Sequence, residues 1–184
     1  MFRQENFGEN MKVLFLDIDG VLNSEKSCKA NGKKLHNDNP HIMHIRWLNY
    51  IISKTQAKIV ISSTWRNSAY YGQMGRFLEE CGLIGEVIAQ TPKLDAFRGT
   101  EIKTWLLEHK DKIIKYKDST WYSHKEPIES FVILDDDSDM IDMSPALVLT
   151  NERFGLTKKT ATEAIKILNH KSLWKQKWSK LYIN

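Results

Sequence analysis

A doubly wound, mostly parallel α/β sheet is the fold this sequence predicts, and three observations predict it. Five short apolar runs recur along the chain: KVLFLD (12–17), KIVIS (58–62), EVIA (86–89), FVILD (131–135) and ALVLT (146–150). Several are continuous rather than alternating, as strands buried on both faces of a parallel sheet require. Segments of helical period separate them, and a β-α-β-α order places helices on both faces of one sheet.

The elements follow in order. After the first run, residues 23–40 (NSEKSCKANGKKLHNDNP) are polar and turn-rich and read as a loop. Asn39–Pro40 then gives a helix start, and Ile42, Ile45, Leu48 and Ile52 share one face. Phe77, Leu78 and Cys81 precede Gly82, a helix stop. Ile102, Trp105, Leu106 and His109 follow Thr100, the expected N-cap. Residues 117–127 (KDSTWYSHKEP) again read as irregular. Ala161, Ala164, Ile165 and Leu168 make a last amphipathic helix.

A length of 184 residues suits one domain with one sizeable core. The expected organisation is a flexible extension over 1–10 and a single domain over 11–184 that ends in a basic helix. The N-terminal decapeptide is polar, and no apolar run approaches the roughly 20 residues that span a bilayer. No membrane partner is expected. Two distant cysteines, Cys28 and Cys81, fit a reducing compartment, so a cytoplasmic location is expected. The net charge of +4 is uneven: residues 158–184 hold seven lysines against one acid, while the remainder is slightly acidic. A polyanionic partner or a solvated lysine face would each produce this asymmetry. Trp174, Trp178 and Tyr182, interleaved with Lys171 and Lys175, suit either a nucleic-acid surface or an aromatic face docked on the core.

In open parallel sheets ligands bind beyond the carboxyl ends of the strands. The first run ends in Asp17, Asp19 and Gly20, and two carboxylates there are costly to bury without a cation or hydrogen bonds. A turn with an Asx hydrogen bond is the structural alternative. The second run ends in Ser62, Ser63, Thr64, Trp65 and Arg66, hydroxyls and a cation suited to an anion. The fourth ends in Asp135, Asp136, Asp137 and Asp139, which would repel strongly without a metal ion.

In this order the motifs FLDIDGVLN, ISSTWR, RGTEIKTWL and VILDDDSDM, with a late GLT, resemble the haloacid dehalogenase superfamily over roughly residues 12–170. Within it they are similar to the domain of that type in Swiss army knife RNA repair proteins. The resemblance implies a magnesium-dependent phosphohydrolase with an aspartyl-phosphate intermediate. Asp17 would be the nucleophile and Asp19 the general acid and then base. Ser62 would hold a phosphoryl oxygen, and Arg98 would be the neutralising base at a helix start, with Lys93 as the alternative. Asp17, the carbonyl of Asp19 and Asp136, supported by Asp135, would hold Mg²⁺. Gly20, Ser63 and Arg66 would line the substrate site.

Only short insertions follow the first and second motifs, which resembles the members that act on large substrates such as polynucleotide ends. The expected substrate is therefore a terminal phosphate on RNA or DNA. Trp65 would then stack on a base or pack against a neighbouring helix. The rival readings are a small-molecule phosphatase with loop 23–40 as a lid, and a non-catalytic nucleic-acid-binding module.

Overall fold

The computed structural model describes residues 11–32, 39–67, 73–109, 113–117, 120–124 and 128–170. The expected extension over 1–10 and the Trp174–Tyr182 segment lie outside them. The chain forms a five-stranded, all-parallel sheet in the order β3-β2-β1-β6-β7, and its helices cover both faces. The strands are β1 (Met11–Leu16), β2 (Lys58–Ile61), β3 (Val87–Gln90), β6 (Ile128–Asp135) and β7 (Leu147–Leu149). All five lie at the expected runs. The doubly wound α/β fold is thus the one the sequence predicts.

Strand β1 shows why the pattern reads so clearly. Leu14 and Leu16 enter one core with Ile45, Leu48, Ile51, Ala161 and Ala164, from helices α2 (Ile42–Thr55) and α5 (Lys158–Asn169). Val13 and Phe15 enter the opposite core with Ile102 and Trp105 of α4 (Arg98–His109). Phe15 meets Trp105 and Phe131 edge to face, at ring separations of 5.5 and 5.9 Å. With both faces buried, no position on β1 is left for a solvent-facing polar residue except at its ends.

Three local readings are corrected. The turn-rich stretch contains a helix, α1 (Glu25–Ala30), capped reciprocally by Ser24 and Ser27. The stretch called irregular around 117–127 contributes to an antiparallel hairpin, β4 (Ile113–Lys117) with β5 (Thr120–His124), which pairs Lys117 with Thr120. Thr100 is not a cap, because α4 already begins at Arg98. The remaining helix, α3 (Met74–Glu80), stops before Gly82 as expected. Helix α2 begins one residue after His41, whose ring accepts a hydrogen bond from the Met43 amide.

Registers place the site. Leu16 pairs with Ile61 on one side and Leu134 on the other. The next residues therefore come level at the carboxyl edge: Asp17 donates its amide to Leu134, and Ser62 donates to Leu16. The chain winds outward through β2 and β3 on one side of β1 and through β6 and β7 on the other. The crevice between β1 and β6 is thus the switch point where such sheets bind ligands.

Candidate active site

Asp17, at the end of the central strand, is only 5% exposed. Its carboxylate and those of Asp135 and Asp136 offer oxygens that all lie within 4.8 Å of one another. Burial, followed for Asp135 by the charge of Asp17, pushes Asp135 up to about 7. Burial and the same neighbour push Asp136 up to about 6. Burial also raises Asp17, against the opposing pull of Arg98. Three carboxylates so close demand positive charge, and the protein supplies only part of it.

That part is Arg98. Its guanidinium lies 3.0 Å from Asp17 Oδ1 and 3.4 Å from Asp135 Oδ2, and it also donates to the Ser62 carbonyl. These two charges overcome the burial that would weaken its protonation, and the group is held more firmly cationic. Gly99 makes the placement possible. A Cβ there would fall 2.2 Å from the Met140 carbonyl oxygen, so only glycine lets the start of α4 come this close to the loop after β6. The backbone amide of Arg98 points to Asp139 Oδ2 at 3.4 Å. Lys93, the alternative, is exposed and has no ion pair among the described residues. The geometry therefore gives the position beside Asp17 to Arg98.

The second strand contributes differently from its two serines. Ser62 is fully buried, and its hydroxyl has no hydrogen-bond partner among the described residues. A buried hydroxyl without a partner calls for a ligand atom to complete it. Ser63 supports Asp17 through a side-chain hydrogen bond. Arg66, one turn later, faces inward. It donates to the carbonyls of Ser62 and Ser63 at 3.2 and 2.8 Å, and it meets Glu101 of α4 at 2.5 Å. Both side chains are 5% exposed. Arg66 thus locks the Ser62–Ser63 loop to α4 instead of reaching into the crevice. Glu101→Ala would leave a buried guanidinium unpaired and lower stability by about 3 kcal/mol, read by urea denaturation. A loss below about 1 kcal/mol, the scale of an exposed pair, would show that the ion pair does not hold this loop.

Three side chains whose part at Asp19 and Gly20 the sequence did not foretell complete the arrangement. The Trp65 indole N–H donates to Asp19 Oδ2 at 2.9 Å while its ring stacks on Phe77 of α3. Asn23 donates to Asp19 Oδ1 at 2.8 Å and accepts from the Gly20 amide. Asp19 is therefore held from both sides. Thr150 donates to the Gly20 carbonyl at 2.9 Å and ties the turn to the end of β7. No local pattern announces these roles, since Trp65 and Asp19 are 46 positions apart.

Gly20 adopts φ +68, and a Cβ on it would fall 2.2 Å from Asp136 Oδ2. The glycine therefore provides both the left-handed turn and the room for Asp136. Gly20→Ala should displace Asp136 and weaken divalent-cation binding at least about tenfold, a loss of one carboxylate ligand, measured by titration calorimetry. Unchanged affinity would mean that Asp136 is not a ligand.

The arrangement defines a class: an α/β domain with an acidic crevice at its switch point that could hold a cation, beside an arginine and a buried serine hydroxyl without a partner among the described residues. The model of the family described as the HAD domain in Swiss Army Knife RNA repair proteins matches residues 13–161, and the chain belongs to that family. Searches of curated proteins and of solved structures return no match. Among the described residues no helix is long and apolar enough to cross a membrane.

Proposed function

We propose that the protein is a magnesium-dependent phosphomonoesterase that works through an aspartyl-phosphate on Asp17, and that its substrates are terminal phosphates of RNA or DNA. One observation carries the reading: Asp17, Ser62, Arg98 and the Asp135–Asp136 pair converge at one strand edge, with Asp19 pinned beside them.

The metal fits the residues present. Three clustered carboxylates with raised proton affinity suit a hard, oxygen-seeking cation, and Asp135 Oδ2, which faces Arg98 at 3.4 Å, accepts no hydrogen bond among the described residues. Asp17, the carbonyl of Asp19 and Asp136 would hold Mg²⁺, with Asp135 in support; the ion, when bound, offsets charge on the phosphoryl group. The protein's own groups do the rest. The Asp17 carboxylate attacks phosphorus, and the P–O bond to the leaving group breaks. Asp19 gives its proton to the leaving oxygen, then takes one from the water that cleaves the acyl phosphate and frees Asp17. The Ser62 hydroxyl donates to a phosphoryl oxygen, and Arg98 balances charge on nucleophile and phosphate.

The nucleic-acid assignment rests on the family to which the chain belongs, the short insertions and the lysine-rich stretch from 158 onward. Of that stretch, Lys158, Lys159 and Lys166 lie exposed on α5. The test is phosphate release from oligonucleotides with 3′- and 5′-terminal phosphates beside a metabolite panel, all with Mg²⁺. The reading requires an oligonucleotide to be preferred in kcat/KM and its KM to rise with salt. A metabolite preferred at all salt concentrations would make this a small-molecule phosphatase.

A further inference from the structure

Beside the catalytic turn lies a cavity of about 420 Å³ that the chemistry described above does not use. That volume falls in the range of small-ligand sites, roughly 300–1,000 Å³. Its walls include His41, Trp47 and Phe154, together with Ser24, Leu156 and Lys26. Phe154, in that wall, is 48% exposed. Arg153 lies over its ring, 5.3 Å from the centroid. Lys26 is exposed and has no ion-pair partner among the described residues.

The cleft is built at the same edge of the sheet as the aspartates. Helix α2 returns the chain from β1 to the parallel strand β2, so its first turn, which supplies His41 and Met43, lies at the strands' carboxyl ends. The 151–157 segment leaves the carboxyl end of β7. Backbone hydrogen bonds join it to the catalytic turn: Glu25 to Glu152, Lys26 to Arg153, and Leu156 to Val21. The His44 ring seals the floor by donating from Nδ1 to the Leu156 carbonyl at 2.9 Å, with Nε2 3.2 Å from Ser24 Oγ.

Distance links the cleft to the chemistry. Asn23 touches the Asp19 carboxylate at 2.8 Å, and Ser24 follows it in the chain. One Cα–Cα step and one asparagine side chain then put the Ser24 Cα within about 11 Å of that carboxylate. Asp19 faces the leaving-group oxygen in the proposed mechanism, so the cleft wall at Ser24 lies a separation of nucleotide size from the group attached to that oxygen.

We infer that this cleft is a base-binding subsite, which receives the nucleobase of the terminal nucleotide whose phosphate is removed. His41, Trp47 and Phe154 give the cleft three aromatic rings, the side-chain type on which bases stack, and Lys26, with Arg153 beside Phe154, suits the next backbone phosphate. This inference rests on the nucleic-acid reading above and gives that reading a physical address. It also moves base stacking away from Trp65, whose ring already lies on Phe77.

The test compares two phosphorylated oligonucleotides that differ only in their terminal residue, one with uracil and one abasic. Loss of one stacked base should raise KM about tenfold or more, and in Phe154→Ala the two values should converge. In a second arm, a terminal 5-iodouracil is photocrosslinked to the full-length Asp17→Asn protein. The crosslinked peptide should come from residues 41–54 or 151–158. Equal KM values in the unmodified protein, or a crosslink to Trp65 or to the 91–98 loop, would overturn the subsite and leave the nucleic-acid reading standing. Hydrolysis of small phosphates alone, with neither oligonucleotide used, would overturn both.

Discussion

Asp17→Asn should give a folded protein whose kcat on phosphomonoesters falls by about four orders of magnitude or more, the scale seen when a covalent nucleophile is removed. Asparagine keeps the shape of the side chain and can still accept from Ser63, which hydrogen-bonds Asp17 now. It cannot attack phosphorus. The fold should tolerate the change because Asp17 sits in a cluster whose charges repel: both Asp135 and Asp136 are raised partly by its charge. Removing it relieves that repulsion and offsets the lost contact with Arg98, which still faces Asp135. Circular dichroism should therefore show an unchanged spectrum and a Tm within a few degrees of the parent. A variant that retains more than about one per cent of kcat would remove Asp17 from the nucleophile's role.

Mg²⁺ should raise Tm by about 5 °C or more at saturating concentration, and Asp136→Ala should abolish most of that shift together with activity. The pH dependence follows from the raised values of about 7 for Asp135 and about 6 for Asp136. The metal-free fold binds protons that the unfolded chain has already lost. Its stability from these groups is complete below the ordinary carboxylate range and is lost as pH rises through 6 and 7. A cation replaces those protons, so the Mg²⁺-induced shift in Tm should be small at pH 5 and grow up to pH 8. Differential scanning calorimetry with and without the ion measures this directly. A shift independent of pH would place the ion elsewhere. If Asp135→Ala removed the Mg²⁺ response while Asp136→Ala kept it, the direct ligand would be Asp135.

The sequence told most where the physics was local. The central strands read as apolar runs because parallel strands covered on both faces admit little else, and Asp17, Asp135 and Asp136 follow such runs directly. Arg98 was legible as a cation opening a helix, and its guanidinium lies 3.0 Å from Asp17. Other features depended on partners far away in the chain. Arg66 looked like a substrate contact because it follows the serines, but its fate was set by Glu101, 35 residues on. Helix α1 escaped notice because its capping box closes with Ser27 in place of the usual Glu or Gln. The hairpin was hidden because its second strand, Thr120–His124, is short and carries hydroxyls and a histidine where an apolar run would mark a strand. The aromatic cleft draws on three separated segments, and no window of sequence contains it.

The most direct measurement looks for phosphate on Asp17 itself. Asp19→Asn removes the group that would activate water, while an aryl phosphate has a leaving group good enough to depart without a proton donor. The first step should then outrun the second. Acid-quenched protein, incubated with Mg²⁺ and p-nitrophenyl phosphate, should release about one equivalent of nitrophenol in a burst. The peptide that contains Asp17 should gain one phosphoryl group by mass spectrometry, and the same peptide should gain none when Asp17 is also replaced by asparagine. Phosphate found on any other residue, or sustained turnover with no phosphorylated peptide at all, would contradict the account.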